Sequence, residues 1–492
     1  MIRLAASLKR WVVPGTRCVR RCRPAHLRQP HASHRAAGLA LLILAAASAT
    51  VPAQRAELEK RIQRTTLPNG LEVIVVENAG VPLVTMEAVV RNGAFTQTAA
   101  FEGLAHLYEH MIFGANAHYP QSEDFLARLS ELGADYNGRT SEEAVNYWFT
   151  LVADSVEPGM RALASALRQP SFRQDELERE REVVIGEYDR NESNPFYHLQ
   201  RAVDRALWGS AWSRKNPLGE RKIIQSTTPS QMREIQRKYY VPNNTALIVT
   251  GAVSSQRVFR LAREIFGDWK RSADPFVADP IPPIAPLDGN TAVIVEQPVG
   301  TVLVMLRWHG PSARGDVDAT YAADVFSDVL NHDGSRFKRR LVDSGLFQSI
   351  QVHYYTLNHT GPITILGETT PDQLRPALAV LEAELERVDD PGYYTPAELE
   401  AVTRRRIADT MFQLERSSGF AHQLAFWWSV TGLDYFLGYV DAMARQTPAE
   451  LQAYARKYIV GKPHVTGVLL SPQVRRKLGL TEDELAGRRA AP

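Results

Sequence analysis

The sequence predicts an α+β protein of two homologous domains, each a mainly antiparallel sheet with helices packed on one side. Three observations predict it. Strand-like and helix-like periodicities interleave in both halves of the chain. A proline-rich stretch separates those halves, and a segment late in the first half returns in the same order late in the second.

Residues 1–53 hold nine of the 57 basic residues and none of the 55 acidic ones, so residues 54–492 sum to −7. A body of that sign is a poor binder of nucleic acid through its overall field, and no nucleic-acid partner is expected. Within the leader, Ala36 to Ala49 reads AAGLALLILAAASA. At about fourteen residues it is shorter than the roughly twenty that span a bilayer, and it suits a signal-peptide core cleaved after Ala49 or Ala53. That reading places the protein in the periplasm or outside the cell. The Arg-rich, acid-free start also fits a mitochondrial transit peptide, and an uncleaved single-helix anchor is a third option. The basic stretch before the apolar core is long, which leaves a start of translation further along open. Cys18 and Cys22 both fall in the leader, so the body has neither disulfide framework nor thiolate metal site.

The first domain is read over residues 54–272. Pro68-Asn69-Gly70 punctuates a strand start, and Leu71 to Val76 and Leu83 to Val90 read as strands. Residues 121–132 and 158–167 read as amphipathic helices. Thr228-Pro229 opens a further helix, as N-cap and first helical residue, and Arg237-Lys238-Tyr239-Tyr240-Val241 closes it. Residues 273–290 carry five prolines and read as a semi-rigid linker. The second domain, 291–472, repeats the helix from Thr447-Pro448 to Arg456-Lys457-Tyr458-Ile459-Val460, every position shifted by the one offset that carries Thr228 to Thr447. An apolar strand with Val-Thr-Gly follows each copy, at Val249 and at Val465. Residues 473–492 are a tail.

The chemistry concentrates in Gly103-Leu104-Ala105-His106-Leu107-Tyr108-Glu109-His110. On a helix, His106, Glu109 and His110 fall within an arc of roughly 100°. Two imidazoles so spaced can grip one Zn²⁺, and a carboxylate beside them can hold its water. Leu104, Leu107 and Met111 supply an apolar face to bury. A hydrolytic zinc site needs a third ligand and an open position. The best source is the helix DELEREREVVIGEYD, Asp175 to Asp189, where Glu180 and Glu187 lie two turns apart and point the same way within about 20°. One can bind metal while the other accepts a hydrogen bond from a ligating imidazole. Glu176, Glu178 and Glu182, interleaved with arginines, read as a solvated face. Glu187 instead follows the apolar run Val183-Val184-Ile185.

H-x-x-E-H at His106 to His110, with Glu187 on a later helix and Glu180 two turns before it, resembles the pitrilysin family of inverted-motif zinc peptidases. That family includes insulysin and the mitochondrial processing peptidase. Thr66 to Val73 looks like the family's first strand, Gly133 to Thr140 with Tyr147 like its substrate-pairing edge strand, and Lys238 to Asn244 is equally typical. The likeness spans about residues 58–472. It implies a chain folded as half of a clamshell, with one Zn²⁺ bound by His106, His110 and Glu187. Glu109 would be the general base and Glu180 would orient a histidine. An extended peptide would pair with the sheet edge at Asn137 and Gly138, near Tyr147. The implied activity is that of a zinc endopeptidase acting on peptides or unfolded polypeptide segments.

The second half departs from the pattern. Ala322 to Leu330, which the Thr228-to-Thr447 offset sets opposite the metal helix, has no histidine. The family's second half carries an Arg and, two helical turns later, a Tyr; in Ser335 to Gln348 those places are held by Leu341 and Gln348. The departure implies a homologous partner subunit without zinc that brings the pair, in a heterodimer, or else a homodimer. Arg339 or Arg340 could stand in for the Arg, although their spacing suits exposed helix charges better. His332, His353 and His359 lack ligand spacing, and no second metal is expected. The competing reading is a non-catalytic scaffold or peptide-binding subunit, like the core proteins of respiratory complexes.

Overall fold

The computed structural model describes residues 50–487. The leader read over 1–53 lies outside them apart from its last four residues, and so do residues 488–492 of the tail. The following concerns the unit that begins at Glu57.

Runs rich in β-branched and apolar residues build most of the strands of two sheets. The first contains β1 (Ile62–Thr66), β2 (Glu72–Glu77), β3 (Leu83–Val90), β4 (Asp135–Thr140), β5 (Val145–Val152) and β6 (Thr245–Gly251), in the spatial order β1-β2-β6-β3-β5-β4. All neighbours are antiparallel except β2 and β6. The second contains β7 (Thr291–Glu296), β8 (Val302–His309), β9 (Ser349–Tyr354), β10 (Pro362–Thr369) and β11 (Val465–Leu470), in the order β7-β11-β8-β10-β9, with β7 and β11 the parallel pair. Apart from β1, the two sheets match strand for strand. The offset that relates the two Thr-Pro helices also carries the first residues of β2 and β3, Glu72 and Leu83, onto those of β7 and β8, Thr291 and Val302.

The helices that matter here are α1 (Leu104–Met111), α2 (Val156–Arg168), α3 (Gln174–Glu192), α4 (Pro195–Trp208), α5 (Pro229–Tyr239), α6 (Ser255–Phe266), α7 (Val317–Asn331), α8 (Pro396–Glu415), α9 (Ser417–Val430), α10 (Leu433–Ala444) and α11 (Pro448–Tyr458). Both Thr-Pro starts form capping boxes, Thr228 with Gln231 at α5 and Thr447 with Glu450 at α11. Residues 273–290 contain only the short helix Pro275–Ala278. They are tied to the first half by Phe276 against Phe95 at 5.4 Å and by an ion pair between Asp279 and Lys238. Among the described residues, no helix is long and apolar enough to cross a membrane.

Each half packs its own helices on one face of its sheet, and Val84, Met86, Ala88 and Val90 of β3 line the first of those cores. The opposite face takes a helix from the other half. α9 lies on β3 and β6, with His422 Nδ1 2.6 Å from Glu87 Oε2 and the Thr250 hydroxyl donating to the Ser417 carbonyl at 2.7 Å. In return α4 lies on β7, β8 and β11, burying Leu199, Val203 and Leu207 against Met305, Val465 and Leu469. Asp204 pairs there with Arg307. The close seating of α4 explains Gly467 in β11, where an added Cβ would overlap Val203 and stand 2.8 Å from Leu199 Cδ1. Gly467→Ala is therefore expected to cost about 1–3 kcal/mol in urea unfolding.

Candidate metal centre

α1 starts at Gly103, whose φ of +89° suits glycine and whose missing Cβ lets Gly219 Cα and the Leu218 carbonyl approach. Gln97 Oε1 accepts from the Gly103 and Ala105 N–H groups at 3.0 and 3.4 Å, satisfying donors that the helix leaves free. Leu104, Leu107 and Met111 are buried, which turns the polar stripe of α1 toward α3.

On that stripe, His106 Nε2 and His110 Nε2 are 3.4 Å apart, their rings edge-on at 84°. Glu187 of α3 reaches both: its Oε2 is 3.5 Å from His106 Nε2 and its Oε1 is 4.0 Å from His110 Nε2. For zinc at about 2.0–2.1 Å from its ligands in a tetrahedron, ligand atoms stand about 3.3–3.4 Å apart. The donor set and its spacing fit that ion. Among the described residues, no other group of His, Cys, Asp and Glu is close enough to hold a metal. Glu180 lies two turns earlier and takes the other side of His110, with Oε2 3.2 Å from Nδ1. The structure thus separates the two acids that spacing left equivalent: Glu187 faces the cluster, and Glu180 holds the far ring nitrogen.

The electrostatics match these places. Burial, helped by the neighbouring His110, pushes His106 down to about 3, so its imidazole is neutral at pH 7. Burial also opposes charge on His110, but the Glu180 hydrogen bond and the surrounding carboxylates outweigh it and raise its pKa. Glu109 is buried and pushed up to about 7, chiefly by desolvation and against the Thr140 hydroxyl, which donates to its Oε2 at 2.6 Å. Thr140 is not among the residues that sequence reasoning singles out. Its signal is nonetheless present: it stands two residues beyond Gly138, on the same face of an edge strand.

β4 lies at the open end of its sheet, with Gly138 opposite Tyr147 of β5. Asn137 and Gly138 are mid-strand rather than in a turn, and the Asn137 side chain accepts from the Gly138 N–H at 2.8 Å. The close approach that Gly138 permits is to Glu109: an added Cβ would lie 2.7 Å from Glu109 Cγ and Oε1. Tyr147 departs from the expectation of a substrate contact. It is fully buried, its hydroxyl 2.7 Å from that of Tyr240, which stacks on Tyr108. The pleat directs position 147 into the core beneath α1.

In the second half, Leu341 is buried and the Gln348 N–H pairs with the Glu368 carbonyl. Arg340 is not free to stand in for the missing Arg, because buried Glu384 holds its Nε at 2.7 Å; Arg339 is exposed. His332, His353 and His359 are not brought together: they engage the Gly334 N–H, Gln351 and Glu143 respectively. At the counterpart of the metal cluster, the same offset sets Val325 and Val329 against the two histidines, Asp328 against Glu109 and Arg406 against Glu187. Arg406 of α8 pairs with Asp328 of α7 at 2.7 Å and donates to the Tyr439 hydroxyl of α10 at 3.0 Å; Tyr439 in turn donates to Asp324 at 2.8 Å. A guanidinium is the cation there.

The model described as "Insulinase (Peptidase family M16)" matches residues 72–220, and that described as "Peptidase M16 inactive domain" matches 226–405. The chain is 26% identical over 391 residues to the zinc protease PqqE of Helicobacter pylori, covering 78% of this chain and 86% of that one. It is 27% identical over 227 residues to the mitochondrial-processing peptidase subunit beta of Dictyostelium discoideum, covering 45% of this chain and less than half, 47%, of that subunit. In fold it is similar to a crystal structure of a protease from Helicobacter pylori, with a TM-score of 0.73 at 23% identity, covering 83% of this chain and 99% of that one. The first family model contains His106, His110 and Glu187, the second begins within the first half of the fold and runs into the second, and the chain belongs to the insulinase family of zinc proteases, peptidase family M16.

Proposed function

We propose that this chain is a zinc endopeptidase that hydrolyses peptides or unfolded polypeptide segments. The observation that carries the reading is the convergence of His106 Nε2, His110 Nε2 and a Glu187 carboxylate within 3.4–4.0 Å of one another, with the buried Glu109 on the same helix. These three residues would hold one zinc ion, which when bound supplies Lewis acidity to a water and to a peptide carbonyl. Glu109 takes the proton of the attacking water as its oxygen bonds to the carbonyl carbon, then delivers it to the amide nitrogen as the C–N bond breaks. Glu180 fixes the His110 tautomer, presenting Nε2 to the cluster. The open edge of β4 at Asn137 and Gly138 offers backbone groups to an extended substrate.

The test is metal content of the purified chain and its hydrolysis of a quenched peptide library, alone and with a homologous subunit. Stoichiometric zinc, activity lost to a chelator and activity restored by zinc support the reading; hydrolysis indifferent to chelation overturns it. Glu180→Ala is expected to weaken zinc about 10–100-fold, read by competition with a chromogenic chelator.

We also propose that catalysis needs a homologous subunit that contributes the Arg and Tyr absent at Leu341 and Gln348. The relative named as a subunit of mitochondrial-processing peptidase supports this. Activity should rise sharply when a homologue lacking H-x-x-E-H but carrying that pair is added; full activity of the isolated monomer would reject it. The leader supports export to the periplasm or beyond. A non-catalytic scaffold gains no support from the "inactive domain" match, which covers 226–405 and excludes every residue of the cluster.

A further inference from the structure

We infer that Thr140 is a positioning residue for Glu109, so that the strand offered to the substrate is also the strand that aims the base. The inference rests on the peptidase reading above and concerns a contact that reading does not use.

Glu109 leaves α1 and meets β4 at two points. Gly138 and Thr140 are two residues apart in β4 and so share a face. At Gly138 the backbone comes so close that a Cβ would stand 2.7 Å from Glu109 Cγ and Oε1 and 3.0 Å from Cδ. At Thr140 the hydroxyl donates to Glu109 Oε2 at 2.6 Å, within the short range of a charge-assisted O–H···O⁻ bond. One carboxylate oxygen is held and the other is pressed over a glycine, so the carboxylate plane is set by the strand. Thr140 suits this task because a β-branched side chain in a strand has few χ1 states to lose. β4 has a strand neighbour, β5, on one side only. A peptide added to its open edge would fix the backbone that carries both contacts. The ordering of substrate and the ordering of Glu109 are then one event, and the cost of a misplaced base falls on the chemical step rather than on binding.

The test uses Thr140→Val, which keeps shape and β-branching and removes the hydroxyl, with Thr140→Ser as its conservative partner. In the zinc-loaded full chain, with its partner subunit if one is required, Thr140→Val is expected to lower kcat about 10–100-fold. KM and zinc content stay unchanged, and Thr140→Ser restores most of the loss. A readout independent of turnover comes from infrared difference spectra of the zinc-free protein, wild type against Glu109→Gln. The carboxylate stretch assigned to Glu109 shifts in Thr140→Val and returns in Thr140→Ser. An unmoved band, unchanged kcat, or kcat and zinc content falling together overturns the inference. A wild-type chain that binds zinc but cleaves no peptide, alone or with a partner, defeats the peptidase reading instead, and the infrared shift still decides whether Thr140 sets the carboxylate.

Discussion

Glu109→Gln is expected to abolish peptide hydrolysis while leaving zinc in place. The amide has the volume of the carboxylate and can still accept the Thr140 hydrogen bond, so neither packing nor the neighbouring His106 and His110 are disturbed. What it cannot do is take a proton. General acid–base catalysis contributes about 10²–10⁴-fold, and in the proposed mechanism one group serves both the attacking water and the leaving amine, so kcat should fall by at least about 10³-fold. Metal analysis beside the hydrolysis assay separates this from loss of the site: His106→Ala should lose metal and activity together. Activity retained in Glu109→Gln would remove Glu109 from the chemistry.

Arg406→Met is expected to destabilise the fold by about 2–4 kcal/mol without touching the cluster of His106, His110 and Glu187. The guanidinium pairs with Asp328, and through Tyr439 it joins a network that includes the buried Asp324. Methionine fills much of the same space and leaves both acids without their cation. The pH dependence follows from Asp324, which burial raises to about 6 against the pull of Arg406. A carboxylate whose folded pKa is raised favours folding most when protonated, and that contribution is lost as pH climbs from about 4 through 6. Removing Arg406 raises the folded value further. The variant should therefore lose more stability at pH 7.5 than at pH 5, measured by urea unfolding at each pH. An equal loss at both would show that Arg406 does not act through the charge on Asp324.

This network bears on the origin of the chain. Under the offset that relates the two halves, His106, His110, Glu109 and Glu187 in one half correspond to Val325, Val329, Asp328 and Arg406 in the other. The same two helices meet in both halves, and both junctions combine acids with a positive centre. In the first, the proposed positive centre is a metal ion held by His106, His110 and Glu187. In the second the positive centre is the Arg406 guanidinium.

Much of this was legible in the residues alone. Helical spacing put His106, Glu109 and His110 on one stripe, because the α-helix repeats every 3.6 residues wherever it occurs. The Thr-Pro helices announced a duplication, because capping is local chemistry. The two-turn spacing of Glu180 and Glu187 likewise placed two acids on one face of α3. Spacing could not say which acid faces the histidine pair: that depends on where α3 crosses α1, and the whole chain between the two helices must fold before the crossing exists. The family resemblance set Tyr147 beside the substrate-pairing strand; alternation along a strand gives the period but not which face is the core, and β5 turns position 147 inward. Arg340 was open as a substitute until Glu384, far along the chain, claimed it. Local periodicity and capping thus decided what each segment carries. The crossing of α1 with α3, the pleat of β4 and β5 and the exchange of α4 and α9 between sheets decided which side chains meet, since those depend on packing between residues that no short window of sequence contains together.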